Sequence, residues 1–92
     1  DLYMALYMRD KIGCDFGATV CSVIRSGMFV QCDNLVEGFV PATCFDGAKI
    51  NEETMTMLAG GRLYTLGTQL TVRLIDVELS TGKITFEPTP EQ

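Results

Sequence analysis

The chain contains no histidine and no tryptophan. Without an imidazole there is no Ser-His-Asp or Cys-His catalytic arrangement, and no zinc site that draws on histidine. Its four cysteines, Cys14, Cys21, Cys32 and Cys44, form no C-x-x-C pair. Four-thiolate metal sites rely on such close pairs, so no metal ligand set is assigned. Basic residues are scarce, seven against twelve acidic ones, for a net charge of −5. Binding nucleic acid by bulk charge needs a basic surface that displaces counterions. Only a local patch remains open to this chain. Long apolar runs are also lacking: the longest, Leu2 to Met8, falls far short of the roughly 18 residues that a membrane helix requires. No membrane partner is expected, and no basic segment leads into a hydrophobic one as in a signal peptide. The first residue is Asp1 and not methionine, which suggests a fragment of something longer.

What is present fits one small folded domain. Ninety-two residues, 47% hydrophobic and 21% charged, allow a single core and argue against disorder. Two disulfides in a secreted domain are one use of four cysteines. The preferred reading is reduced thiols in a cytoplasmic protein, with Cys21 and Cys32 in the core because both sit in apolar stretches.

Along the chain, residues 1–12 read as the end of a helix, with Leu2/Leu6, Tyr3/Tyr7 and Met4/Met8 at i, i+4 and Gly13 as the stop. The segment is apolar all round, so it packs against several neighbours or against a domain absent here. From Asp15 the period becomes two. Asp15 to Ile24, Met28 to Asp33 and Val36 to Pro41 read as three strands, the first two joined by a turn at Ser26-Gly27. Residues 42–67 are ambiguous. Ala42 to Glu53 is rich in turn formers, with room for one short helical turn. Thr54 to Leu58 and Arg62 to Leu66 favour a hairpin about Gly60-Gly61, while a helix from Glu52 to Ala59 competes. Leu70 to Leu79 and Lys83 to Glu87 form a last antiparallel pair, and residues 88–92 a loose tail. The expected fold is all-β: a five-stranded Greek-key OB-fold barrel over residues 13–87. An N-terminal helical segment precedes it, and an extra hairpin fits between strands three and four.

The stretches IGCDFGATVCSVIRSGMFVQCDNLVEGFV and YTLGTQLTVRLIDVELSTGKITFE resemble the S1-type RNA-binding domain. The link between them, N-E-E followed by L-x-G and Y-x-L-G, is similar to the C-terminal domain of the ribonuclease R and ribonuclease II exoribonucleases, as are Tyr7-Met8 and Ile12-Gly13. That resemblance implies a bacterial 3′–5′ exoribonuclease whose barrel helps to hold single-stranded RNA. It also implies a magnesium-dependent catalytic domain N-terminal to Asp1, docked intramolecularly on the barrel. The barrel itself supplies no catalytic residue and no cofactor site in this reading.

At family positions the match is eroded. Of the two aromatics of F-G-x-F, Ser26 takes the first place and Phe29 the second. Pro41 replaces a histidine, Thr68 an aspartate, Glu78 an aspartate and Lys83 an arginine. The residues left for RNA are Phe29 as a stacking platform, Lys83, Arg73 and Arg25 for phosphates, and Gln31 as a hydrogen-bonding group. Weak binding is expected. Plainer readings compete: Phe29 as an incidental exposed ring or an interface, and Arg73 and Lys83 as solvated strand residues. Glu37, Gly38 and Gly27 read as turn and packing residues, and Tyr64 is divided between core and rim. The alternative function is a degenerate barrel that serves as a protein-docking or structural module with little RNA affinity. A stand-alone hydrolase using Cys44 or Asp46 has no evident base.

Overall fold

In the computed structural model, which describes residues 2–89 and the side chains from Ala5 onward, the period change at Gly13 is the boundary between helix and barrel. Helix α1 (Leu2–Arg9) gives way to turns that end at Gly13, whose φ of 93° suits glycine. Ala5 and Met8 are fully buried, and α1 packs on the long strand β7 (Gln69–Glu78). Leu6, Tyr7 and Ile12 stay exposed, so from Ala5 onward the segment buries one side only.

Strands β1 (Asp15–Ile24), β2 (Gly27–Cys32) and β3 (Glu37–Pro41) follow as an antiparallel meander. β7 returns beside β1, and β8 (Lys83–Pro88) lies between β7 and β3. The order β1-β2-β3-β8-β7 closes on itself, with β3 and β8 parallel. This is the expected five-stranded barrel. Closure leaves no long edge in the main sheet.

Alternation fills the interior: Ala18, Val20, Met28, Val30, Val40, Val72, Leu74, Ile84 and Phe86 are all buried. A bulge between Val20 and Ser22 shifts the phase of β1 by one residue, bringing Val23 inward. Cys21 falls at that irregularity and is exposed, which corrects its expected place in the core; Cys32 is buried as expected. All four cysteines are free.

The region between β3 and β7 contains more strand than expected. A 3₁₀ turn (Ala42–Cys44) precedes β4 (Lys49–Asn51), β5 (Thr56–Ala59) and β6 (Arg62–Tyr64), which form a three-stranded antiparallel sheet. The hairpin about Gly60-Gly61 is present, with both glycines at positive φ, and the competing helix is not. β4 was not foreseen, and β5 starts at Thr56 and not Thr54. The Asn51 side-chain oxygen accepts from the backbone N–H groups of Glu53 and Thr54, which holds residues 52–55 in a turn. Met57, Ala59 and Tyr64 join the barrel core, so Tyr64 is a core residue.

At the C-terminal end, the loose tail is corrected at its start: Pro88 belongs to β8, opposite Val72, and the Thr89 N–H reaches the Thr71 carbonyl at 3.1 Å. With residue 89 donating to β7, the position of the Pro88 nitrogen faces away from β7, and the missing N–H breaks no bond there. The rest of the expected tail lies outside the described residues.

Candidate nucleic-acid interface

Buried Met28 and Val30 force Phe29 to the outside of β2, where it is 40% exposed. Across the hairpin it stands directly opposite Phe39 of β3, the ring centroids 5.0 Å apart and tilted by 55°. Phe39 was not singled out from the sequence, although the signal was there. In Glu37–Pro41 the small Gly38 and the apolar Val40 alternate with Phe39, and hairpin register brings it to Phe29. A second ring is thus supplied from β3, although Ser26 leaves the first position of the aromatic motif empty of one.

Two glycines make the space. A Cβ on Gly27 would overlap the Phe39 ring and the Val40 carbonyl, and one on Gly38 would overlap the Phe86 ring beneath. Both are packing residues, as expected.

Lys83 comes to this face from the start of β8. Thr81 holds the preceding turn: its hydroxyl donates to a Glu78 carboxylate oxygen at 2.7 Å and accepts from the Lys83 N–H at 3.3 Å. The Lys83 ammonium lies 6.0 Å from the Phe39 centroid, within cation–π range. It forms no ion pair among the described residues. Phe29, Phe39, Lys83, Ser26, Ile24 and Glu37 line an open groove of about 520 Å³ floored by Gly38. Such a groove accepts a flat apolar group against the rings and one anionic group at Lys83, with Glu37 opposing a second anion.

Gln31 lies two residues beyond Phe29 on the same face of β2, opposite Thr19 and Glu37. The other two candidates are elsewhere. Arg25, at the β1–β2 tip, has a 90% exposed side chain paired with Glu52 at 3.7 Å, and its N–H donates to the same carboxylate at 2.9 Å. Arg73 donates to both Asp15 oxygens, at 2.8 and 3.5 Å. That hydrogen bond, then the charge of Asp15, pushes the guanidinium further above its ordinary pKa. Arg73 is opposite Asp15, whereas Phe29 is opposite Ser22 on the same strand, about 23 Å away at strand rise. The structure therefore brings Phe29, Gln31 and Lys83 together, adds Phe39, and leaves Arg25 and Arg73 apart.

The described residues contain no cluster of three His, Cys, Asp or Glu side chains able to hold a metal ion. No described helix is long and apolar enough to cross a membrane.

No family model matches the chain. Among curated proteins, ribonuclease R of Aquifex aeolicus (strain VF5) is 34% identical over 92 residues, covering 95% of this chain and 13% of that protein. Ribonuclease R 1 of Lactococcus lactis subsp. lactis (strain IL1403) is 29% identical over 92 residues, covering 96% and 11%. The chain therefore spans only about an eighth of the length of these relatives. Among solved structures, Mycoplasma genitalium RNase R in complex with ribose methylated single-stranded RNA superposes with a TM-score of 0.86 at 18% identity, over 96% of this chain and 15% of that one. In sequence and in fold, this five-stranded barrel resembles a domain of ribonuclease R.

Proposed function

We propose that the chain is an RNA-binding module of a ribonuclease R-like 3′–5′ exoribonuclease, holding single-stranded RNA for a catalytic domain elsewhere in the protein. The observation that carries this is the outward Phe29–Phe39 pair beside Lys83. An unpaired base stacks on the rings while its phosphate approaches the ammonium. Bases inside a duplex cannot reach the rings, so single strands are favoured. Each stacked base contributes about 1–3 kcal/mol, and with few cations nearby the binding is weak. The RNA complex of the Mycoplasma genitalium protein supports the same reading. Magnesium-dependent hydrolysis in a cytoplasmic setting belongs in this proposal to the rest of the parent protein. The barrel's described residues hold no cluster of three His, Cys, Asp or Glu side chains that fits a metal ion.

A second reading, a docking or structural module, is favoured by the net charge of −5 and by the ion pairs that engage Arg25 and Arg73. Titration of labelled oligoadenylate and oligouridylate at low salt separates the two. For the RNA module, Phe29→Ala and Phe39→Ala each weaken binding roughly tenfold or more. No binding at high micromolar protein supports the docking module.

A further inference from the structure

Beyond the two rings, the outer surface continues without a change of face. Thr19 of β1 is opposite Gln31 on one side and Gln69 of β7 on the other. Their strand neighbours Ala18, Val20, Val30, Cys32 and Leu70 are buried, so alternation turns all three outward. Phe29 thus leads into a row of amide, hydroxyl and amide. At ordinary strand spacing, Gln31 lies about 7 Å from Phe29, and Gln69 about 10 Å further across. A cleft of about 350 Å³ opens along the β1–β7 part of the row, lined by Thr19, Gln69, Thr71 and Asp33.

Among the described residues, the charged groups bordering the track are Lys83, its cross-strand neighbour Glu78 and Glu37 at the rings, Asp33 at the cleft and Arg62 behind Gln69. Arg62 donates to the Gln69 carbonyl at 2.6 Å and lies 4.9 Å from the Tyr64 ring centroid. Three carboxylates against two cations leave the track without a net positive charge.

Resting on the RNA-binding reading above, we propose that Gln31, Thr19 and Gln69 read the edges of bases that leave the Phe29–Phe39 platform. The module then recognises RNA chiefly through its bases, with few phosphate contacts. Glutamine amides present a donor and an acceptor side by side, the pattern that base edges complement. Phosphate neutralisation on single strands gives a slope of log K against log salt of about −0.7 per contact. Lys83 alone therefore sets about −0.7, and a second phosphate contact would bring it to about −1.4.

The test measures the affinity of the 92-residue chain for labelled oligouridylate and oligoadenylate from about 50 to 300 mM salt. An abasic ribose-phosphate strand of equal length serves as competitor. The expected slope is no steeper than about −1.4, and Lys83→Gln flattens it. The abasic strand fails to compete. Gln31→Ala and Gln69→Ala each weaken binding about three- to tenfold without changing the slope, with unchanged thermal midpoints showing that the barrel is intact. A slope of about −2 or steeper, or an abasic strand that competes as well as the intact one, overturns base reading. If that binding is still lost in Phe29→Ala, the RNA module stands and only the base-reading inference goes. No binding of any strand removes both.

Discussion

At the scale of single residues, small side chains decide what the large ones do. Gly38 lets Phe86 lie against the backbone of β3, and the next residue, Phe39, is held outward over that contact. In Gly38→Ala the added methyl meets the Phe86 ring and the Ile84 carbonyl, neither of which is a flexible chain end. Urea unfolding is expected to show a loss of about 1–3 kcal/mol, and an unchanged midpoint would refute the packing argument. Cys32 gives a second residue-scale outcome. Burial, and then neighbouring Asp33, push its thiol from 9.0 up to about 11. Between those values the folded chain keeps a proton that the unfolded chain has released. The Cys32 contribution to stability is therefore complete below about pH 9 and is lost as pH rises through about 11. Comparing denaturation of the parent and Cys32→Ala across this range isolates the slope. At mildly alkaline pH a thiol reagent should label exposed Cys14 and Cys21 at once, and Cys32 only on unfolding.

Among the elements, the three-stranded insertion is part of the barrel's core. Met57 of β5 is fully buried, and Ala59 and Tyr64 accompany it. Met57→Ala is expected to lower the unfolding free energy by about 2–5 kcal/mol, measured by chemical denaturation. A loss near zero would mean that β4–β6 form a detachable flap. The hairpin of this insertion was legible because Gly60-Gly61 supplies the positive φ values of a tight turn and alternating residues flank it. β4 was not, because Lys49–Asn51 contains one apolar residue and its strand character comes only from pairing with β5. The helix alternative failed for a related reason: Met57 and Ala59 are buried with Leu58 exposed between them, a period of two. On β1, alternation was readable but the bulge was not, and Cys21 was misplaced with it.

In the whole molecule, an acidic chain presents a pair of aromatic rings on one face of the barrel and leaves few cations beside them. Most of the site was present in the order of residues: strand alternation put Phe29 outside, and the same rule applied to β3 exposes Phe39. What the sequence by itself determined was the period, the turns and hence the five-stranded barrel, because alternation and turn chemistry act over a few neighbouring residues. Only the tertiary structure decided which cations are already engaged. Arg73 meets Asp15 across 58 positions, and Arg25 meets Glu52 across 27. Such pairs depend on which strands become neighbours when the barrel closes, and no local pattern encodes that.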